Sequence, residues 1–379
     1  MKIAIDASRA INEKAGIGRY TLELVRELTK SDLKNTYLLL FSFMRSSRHK
    51  EKIIKEFRAL KNVEVKILRI PGNLKEKVWG WKLPWFRRLL KDADIFYAPS
   101  FLEVNLGLNL PQVVTIYDLT TFLFPEHLGK KMSEFFNFKT KKACLKAFKI
   151  IAISKSTKND LEKILKIDPK KITVVYPGQN VLGTPTKNLP QNLKAKSYVL
   201  VVGTIEPRKN LINLFKAYAI LPPRLQEKYP LAIVGARGWN TGKTYDALEH
   251  LKLKDKVKFL GFVSDSVLAK LYKEAMVFVY PSLYEGFGFP VLEALSFNTP
   301  VVTSNNSSLP EVAGKAAILV DPQDPKSISS GLQKLLEHKE EISLLKENAR
   351  SRIGKFSWEK TAREILVVFK EVVKKTHEA

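Results

Sequence analysis

Short apolar runs alternate with amphipathic segments along the whole chain of 379 residues. Each apolar run has the length of a buried strand, and strands that alternate with helices indicate a parallel sheet with right-handed crossovers. The chain is therefore predicted to have an α/β fold. Strands are predicted at residues 2–6, 37–41, 63–68, 95–98, 113–117, 150–153 and 173–176, and again at 198–202, 231–234, 257–259, 276–280, 301–303 and 317–320. Helices are predicted at residues 19–29, 139–149 and 358–374, among others.

The chain is too long for one ordinary hydrophobic core, which predicts two domains. The connection that ends at residue 196 is rich in proline, asparagine, glycine and threonine and has no clear periodicity, which is typical of a linker. The predicted domains are residues 1–178 and 197–357, with a linker at 179–196. The last segment, 358–379, is predicted to be an amphipathic helix.

The stretch that is most informative about function begins with the predicted strand at 276–280. A loop with two glycines follows, and glycines let backbone approach a ligand closely. Pro290 then suits the first residue of a helix. Glu285 would lie in the loop at the carboxyl end of the strand, and Glu293 about one turn inside the helix. Ligands of open α/β sheets bind at this edge, and amides at a helix start favour a phosphate, although the spacing alone also fits a purely structural pair of glutamates.

The full string from residue 280 to 294 resembles the Glu-x7-Glu signature of the retaining glycosyltransferases of family 4. The tyrosine-proline-serine approach and the Glu-Gly-Phe-Gly loop of that family are both present. The resemblance implies the GT-B fold, in which two Rossmann-like parallel-sheet domains face an interdomain cleft and the terminal helix packs back on the first domain. It also implies that Glu285 contacts the transferred sugar and Glu293 the donor ribose. The amides of Phe287 and Gly288 would then stabilise the departing diphosphate.

Two further strings follow predicted strands and match loops of the same family. Residues 203–210 contain the adjacent cations Arg208 and Lys209, which offer a forked donor and a mobile ammonium. The string resembles the donor-diphosphate loop, so both side chains are expected to neutralise the leaving group. Gly16 and Gly18 lie between the first strand and a helix. A tight turn would explain them, and the resemblance places them beside the donor phosphates and the acceptor.

Several residues are candidates through resemblance alone. Tyr117 stands where family members usually carry a histidine that binds the sugar, and its hydroxyl could keep a hydrogen bond but no charge. Asp118 follows it and is expected either to contact the sugar or acceptor or to cap the next turn. His127 matches another family position and is a secondary candidate. Phe262 and Val263 are expected beside the nucleotide base.

Two serines are predicted to serve helix starts. Ser154 follows a predicted strand and has the character of a helix cap. Ser308 and Glu311 are spaced as a capping box, for which a structural role alone is sufficient.

The formal net charge of +26 is unusually high, and most of the excess lies in the first half. Such a field attracts nucleic acid, acidic membranes or phosphorylated ligands. Residues 75–91 hold three of the five tryptophans and six cations, a composition typical of segments at membrane interfaces. This segment is predicted to contact an anionic membrane surface, and the alternative for it is ordinary core packing with a solvated basic face. For the net charge of the whole chain, the alternative is a lysine-rich surface adapted to high temperature. No recognised nucleic-acid module occurs, so no nucleic-acid partner is expected.

The single cysteine, Cys144, excludes an internal disulfide and fits a reducing compartment. No Cys/His cluster has the spacing of a metal site, so neither a metal nor another cofactor is expected. The first residues are predicted to form a strand rather than a signal peptide. We therefore expect a cytoplasmic protein that associates peripherally with the inner face of the cytoplasmic membrane.

Together these patterns predict a retaining GT-B glycosyltransferase, most like the mannosyltransferases of lipopolysaccharide and surface-glycan synthesis. It would move a hexose, with mannose from GDP-mannose favoured, from a nucleotide diphosphate sugar to a saccharide or lipid-linked acceptor. A GT-B sugar phosphorylase or a nucleotide-sugar epimerase is the nearest alternative. A nucleic-acid-binding protein, suggested by charge alone, is a more distant one.

Overall fold

The computed structural model of the chain describes residues 1–13, 16–70, 88–102, 110–190 and 193–378. The chain divides into two compact units. The first unit comprises Met1–Phe122, Lys131–Gly178 and Phe356–Ala379, and the second comprises Leu123–Lys130 and Gln179–Lys355. Positions 75–87 of the predicted membrane segment lie outside the described residues.

Each unit contains one sheet in which all paired strands are parallel. Most strands are buried along their whole length, which explains why their sequences are continuous apolar runs. The first sheet contains β1 (Lys2–Asp6), β2 (Thr36–Ser42), β3 (Val63–Leu68), β4 (Ile95–Ala98), β5 (Gln112–Ile116), β6 (Lys149–Ala152) and β7 (Ile172–Val174). The second contains β8 (Val199–Val202), β9 (Leu231–Val234), β10 (Val257–Gly261), β11 (Val277–Tyr280), β12 (Val301–Ser304) and β13 (Ala317–Val320).

Helices connect the parallel strands. Those before β8 are α1 (Ser8–Asn12), α2 (Ile17–Ser31), α3 (Arg48–Arg58), α4 (Thr120–Leu123), α5 (Pro125–Leu128), α6 (Lys130–Lys146) and α7 (Lys155–Leu165). Those after β8 are α8 (Leu211–Ile220), α9 (Pro223–Lys228), α10 (Gly242–His250), α11 (Asp265–Glu274), α12 (Phe289–Ser296), α13 (Leu309–Ala313), α14 (Pro325–Glu337), α15 (Lys339–Ile353) and α16 (Trp358–His377). The predicted α/β class and parallel sheets are confirmed, and the predicted strands differ from the observed ones by two residues at most at either end.

The terminal helix α16 belongs to the first unit and packs against α2. Its buried stripe includes Ile365 and Phe369, and the ring of Phe369 lies 5.3 Å from that of Tyr97 on β4. At its start, the hydroxyl of Thr361 donates to the carbonyl oxygen of Tyr176 at 2.7 Å. These contacts complete the core of the first unit with residues from the far end of the chain.

One predicted helix, at residues 139–149, is wrong at both ends. The observed helix α6 starts at Lys130 and ends at Lys146, and β6 has already begun at Lys149. The prediction followed buried apolar spacing, which only the second half of α6 shows. The first half instead turns aromatic side chains such as Phe135 and Phe138 outward, so its inward pattern is weak.

In both sheets the strand order reverses once. The first sheet has the order β3-β2-β1-β4-β5-β6-β7, and the second has the order β10-β9-β8-β11-β12-β13. Because β8 and β11 are neighbours but their following helices run to opposite sides, the loops after them leave a crevice at the carboxyl edge. This reversal determines where the second unit can hold a ligand.

No helix among the described residues combines the length and apolar character required to span a bilayer.

Candidate active site

The loops that follow β8 and β11 are joined at the reversal of the second sheet. The amide of Leu283 donates to the carbonyl oxygen of Arg208 at 2.9 Å. Asn210, in the left-handed region with φ of 61°, donates through Nδ2 to the carbonyl oxygens of Pro281 at 2.9 Å and Pro322 at 2.6 Å. The buried amide of Asn210 therefore holds the two loops in one arrangement. The adjacent cations of the first loop are thereby placed against the carboxylate of the second.

Glu285 is the centre of a buried ionic network. Its Oε1 accepts hydrogen bonds from Lys209 Nζ at 2.6 Å and from the Tyr280 hydroxyl at 2.8 Å. Its Oε2 lies 2.7 Å from Nη1 of Arg208. Arg208 also donates through Nη2 to Glu206 at 2.6 Å. The structure thus brings the predicted residues Arg208, Lys209 and Glu285 into direct contact, and adds Tyr280 and Glu206, which the sequence analysis did not single out.

The charge state of this network follows from its partners. Burial raises the pKa of Glu285, but the charges of Arg208 and Lys209 and the hydrogen bonds from Lys209 and Tyr280 outweigh it and lower the pKa to about 2. Burial lowers the pKa of Lys209, as does the charge of Arg208, while Glu285 opposes both effects. Burial and the charge of Glu285 raise the pKa of Tyr280 well above its ordinary value. At neutral pH the site therefore contains an anionic carboxylate and a protonated phenol.

The loop between Glu285 and α12 depends on a glycine and a serine. Gly288 has φ of 114°, and a Cβ at this position would be only 2.8 Å from Leu309 Cδ2, so a side chain would be strained in both respects. Helix α12 starts at Phe289, one residue before the predicted start, with Pro290 in its first turn. This places the amides of residues 287–289 at the helix start, as the phosphate-binding prediction requires.

The capping-box prediction for Ser308 is wrong. Its hydroxyl makes no capping bond to α13. It donates instead to the carbonyl oxygen of Glu285 at 2.9 Å and to that of Phe287 at 2.6 Å. Ser308 therefore supports the backbone on both sides of the glycine loop. The prediction for Ser154 is confirmed, since its hydroxyl accepts from the amide of Thr157 at 3.0 Å.

Glu293 is buried and held by different partners from those of Glu285. The Tyr272 hydroxyl donates to its Oε2 at 3.0 Å, and Asn180 Nδ2 donates to its Oε1 at 2.8 Å. Burial and the nearby carboxylate raise the pKa of Tyr272 well above its ordinary value, so the phenol keeps the proton that it donates. Asn180 lies in the predicted linker, where no local pattern marks it as a site residue. Tyr272 resembles an ordinary core aromatic on the buried face of α11.

The segment of residues 123–130 carries His127 into the second unit. The His127 ring stacks on Phe124 with 5.0 Å between centroids, and the Phe124 ring lies 5.9 Å from that of Tyr284. Asn240 Nδ2 donates to the backbone carbonyl of His127 at 3.1 Å. His127 thus lies near the residue that precedes Glu285 in the chain. Nothing in its local sequence indicates this neighbourhood.

Four other predicted residues lie in the first unit. Asp118 accepts from the amide of Thr120 at 2.8 Å, which is the turn-capping alternative of the prediction. The ring of Tyr117 contacts that of Tyr20 edge to face at 5.1 Å. Gly16, with φ of 56°, precedes α2. At Gly18, a Cβ would overlap the carbonyl oxygen of Glu13, so close backbone packing requires glycine there.

Phe262 and Val263 follow β10 in the second unit. The Phe262 side chain is 76% exposed, which leaves an apolar ring available at the carboxyl edge of the sheet. Backbone hydrogen bonds link this edge to the point where the strand order reverses. The amide of Gly235 donates to the carbonyl oxygen of Gly261, and the amide of Gly203 donates to the carbonyl oxygen of Val234. The loops after β8, β9 and β10 therefore begin side by side at the carboxyl edge of the sheet. Within the described ranges, no group of three or more His, Cys, Asp or Glu side chains is arranged to hold a metal ion.

Matches to known protein families and relatives together span most of the chain. Residues 15–181 match the family model described as Glycosyltransferase Family 4, and residues 186–352 match the model described as Glycosyl transferases group 1. The chain is 29% identical over 376 residues to O-antigen chain mannosyltransferase B of Escherichia coli, covering 94% of this chain and 96% of the relative. It is 32% identical over 232 residues to O-antigen chain mannosyltransferase RfbU of Salmonella typhimurium, covering 61% of this chain and 63% of the relative. Among solved structures, sucrose-phosphate synthase of Thermosynechococcus elongatus superposes with a TM-score of 0.74 at 19% identity, covering 99% of this chain and 100% of that chain.

Proposed function

The chain belongs to the family 4 glycosyltransferases and has the GT-B fold, and on this premise we propose that it transfers mannose from GDP-mannose with retention of configuration. The acceptor would be a hydroxyl of a saccharide or lipid-linked glycan of the cell surface. The choice of mannose is supported by two relatives, each named as an O-antigen chain mannosyltransferase, one of which aligns along nearly the whole chain. The choice of GDP follows from that sugar, because GDP is the carrier expected for mannose.

The observation that carries the proposal is the contact of Glu285 with Arg208 and Lys209 beside the start of α12. A carboxylate and two cations in one buried place offer partners for both ends of a sugar diphosphate. Glu285 would accept hydrogen bonds from hydroxyls of the transferred sugar. Arg208, Lys209 and the amides of Phe287 and Gly288 would take the negative charge that develops on the diphosphate.

The donor nucleoside would be held by a second set of residues. Glu293, oriented by Tyr272 and Asn180, would accept hydrogen bonds from the ribose hydroxyls. Phe262 and Val263 would border the base. Fixed cations and a helix start would stabilise the leaving group, so the proposed reaction requires no metal.

The charge and contacts of Glu285 also bear on how configuration is retained. Because its pKa is about 2 and both its oxygens already have close partners, Glu285 suits neither a general acid nor a free nucleophile at neutral pH. A front-face substitution agrees better with this carboxylate. The bond from the anomeric carbon to the phosphate oxygen breaks, and the acceptor oxygen bonds to that carbon from the same side. The acceptor proton passes to the departing phosphate oxygen.

The test is to offer the purified protein a panel of nucleotide sugars with a mannosylated oligosaccharide acceptor and to identify products by mass spectrometry and NMR. We expect consumption of GDP-mannose, release of GDP and an α-linked mannosyl product. Glu285→Gln should abolish most transfer while the protein remains folded, whereas Glu249→Gln at an exposed ion pair should not. Turnover without an acceptor, or a requirement for inorganic phosphate, would favour an epimerase or a phosphorylase. Near-normal transfer by folded Glu285→Gln would overturn the role of Glu285.

A further inference from the structure

Two exposed aromatic rings lie where the second sheet is expected to bind its ligands. Among the described phenylalanine, tyrosine and tryptophan side chains of the second unit, Phe262 at 76% and Trp239 at 41% are the most exposed. Trp239 lies in the loop after β9 and Phe262 in the loop after β10, so both are at the carboxyl edge of the sheet. Phe262 has a proposed place beside the base, whereas Trp239 has no role in the reaction as described above.

The backbone before Trp239 is packed onto the loop after β8, which carries the two cations of the site. The amide of Ile205 donates to the carbonyl oxygen of Ala236 at 3.0 Å, and the amide of Gly238 donates to the carbonyl oxygen of Ile205 at 3.0 Å. A Cβ at Gly238 would lie only 2.6 Å from that carbonyl oxygen, so the close approach requires glycine. The chain is therefore fixed beside the proposed diphosphate site immediately before Trp239.

The backbone after Trp239 is fixed as well. Asn240 has φ of 53°, in the left-handed region where asparagine is enriched. Its Nδ2 donates to carbonyl oxygens of the segment 123–130, including that of His127 at 3.1 Å. A phenylalanine of the same segment has its ring 5.9 Å from that of Tyr284, the residue before the site carboxylate. Trp239 is thus held between the diphosphate loop and the segment that reaches the glutamate loop.

The loop is closed by its own side chains, but the indole takes no part in this. Arg237 Nε donates to the hydroxyl of Thr241 at 3.1 Å, and the guanidinium lies 5.0 Å from the centroid of the Tyr245 ring. Within the part of the chain that the structure describes, the Trp239 indole makes no hydrogen bond and no ring contact. A half-exposed ring on a fixed loop can be covered by a ligand at little cost in conformational entropy.

The chemistry at this position fits a pyranose ring. One face of a pyranose presents C–H groups that pack on an aromatic ring, and the hydroxyls at its rim need hydrogen-bond partners. The indole of Trp239 offers an apolar face together with an N–H donor. Because the Nδ2 of Asn240 is engaged by carbonyl oxygens, the other side of this exposed amide presents an oxygen that can accept from a hydroxyl. A purely apolar ligand would leave these polar groups unpaired.

We propose that Trp239 is the platform of an acceptor subsite, on which a sugar residue of the glycan stacks beyond the residue that is extended. This subsite rests on the proposed transfer to a saccharide. The contacts of its loop lead through the segment 123–130 towards Glu285, whereas the nucleoside is assigned to Glu293 and Phe262, so the indole fits the acceptor better than the base. Because the connection to Glu285 runs through that segment rather than directly, the stacked sugar is not the one that receives the hexose.

The first experiment measures glycan binding without transfer, on an immobilised panel of mannose, glucose and galactose oligosaccharides with GDP present. Trp239→Ala should weaken binding of the glycan that the parent retains by about tenfold, because stacking on one aromatic ring is worth about that factor. Trp239→Leu keeps an apolar side chain but no flat ring and should behave as the alanine variant does, whereas Trp239→Phe should restore most of the binding. Leu344→Ala, at a 57% exposed position of α15, is the control and should bind as the parent does.

The second experiment separates the acceptor from the donor by calorimetry with GDP. Trp239→Ala should leave the Kd for GDP unchanged, and Phe262→Ala should weaken GDP while leaving glycan binding unchanged. Weaker GDP binding by Trp239→Ala with unchanged glycan binding would identify a base platform and overturn the proposed subsite, as would a parent that retains no glycan on the panel. Equal glycan binding by Trp239→Leu and the parent would also overturn it. Retention of a galactoside instead of a mannoside, lost in Trp239→Ala, would refute the choice of mannose and support the subsite.

Discussion

Glu285→Gln should lower the stability of the second unit in a strongly pH-dependent way. The network around Glu285 lowers the pKa of this carboxyl from its ordinary value of 4.5 to about 2. Each pH unit of such a difference corresponds to about 1.4 kcal/mol, so the ionised group contributes about 3 kcal/mol to the free energy of unfolding at neutral pH. The size agrees with the roughly 3–5 kcal/mol lost when one partner of a buried ion pair is removed. Glutamine keeps the shape but removes the carboxylate charge that faces Lys209 and Arg208, of which Arg208 is still paired with Glu206.

The sign of the pH dependence follows from the direction of the pKa change. Because the folded-state pKa of Glu285 lies below the unfolded value, its stabilisation is present above about pH 4.5 and is lost as the pH falls towards 2. Glutamine does not titrate. The difference in the free energy of unfolding between the parent and Glu285→Gln should therefore be greatest at neutral pH. It should decrease as the pH approaches 2.

The assay is differential scanning calorimetry between pH 7 and pH 3, which can resolve the melting of the two units. A loss of about 3 kcal/mol in a unit of this size should lower its melting temperature by roughly 6–12 °C at pH 7. Glu249→Gln is the matched control, because the side chains of Glu249 and Lys254 form an ion pair that is largely exposed. Such an exposed ion pair contributes only about 0–1 kcal/mol to the free energy of unfolding. A Glu285→Gln protein as stable as its parent at pH 7, or a gap that does not narrow in acid, would refute the reasoning.

Three other outcomes are expected. Arg208→Ala and Lys209→Ala should each weaken binding of GDP by about 1.5–3 kcal/mol more than binding of guanosine, because each removes a charge-assisted contact; equal losses in calorimetry would contradict the phosphate role. Tyr272→Phe should weaken the binding of GDP about fivefold but leave the binding of inorganic diphosphate unchanged, because the substitution removes one hydrogen bond that orients Glu293. An unchanged affinity for GDP would count against that orientation. Transfer measured by product formation should survive excess chelator, and inhibition that a divalent metal reverses would disprove the metal-independent mechanism.

The resemblance of the chain to family 4 is confirmed by the comparisons, and its basis is local. Residues 276–294 were predicted as a strand, a glycine loop and a helix, and the structure has β11 at Val277–Tyr280 and α12 at Phe289–Ser296. Such patterns are predictable because burial on both faces, the φ preference of glycine and the restriction imposed by proline act within a few residues. The roles of Glu285 and Glu293 in transfer stay predictions.

Local patterns were less reliable where a helix has apolar residues on two faces. The predicted start of helix α6 lies nine residues after the observed start at Lys130. The exposed aromatic residues in its first half obscure the spacing of the residues that face the core. The same mismatch between periodicity and burial leaves the side chains of Phe135 and Phe138 exposed. An amphipathic pattern indicates the core only when a single face is apolar.

The sequence by itself determined the fold class, the strands and the positions of the loops at the carboxyl edges. Only the tertiary structure decided which of these loops meet. Lys209 and Glu285 are 76 residues apart, and Asn180 and Glu293 are 113 apart, yet each pair is joined by a hydrogen bond. The first contact exists because β8 lies beside β11 in the sheet. Both contacts exist because buried charged and polar groups must find partners wherever the chain supplies them. The periodicity of a segment records which of its faces is buried, but it does not record which distant segment buries it.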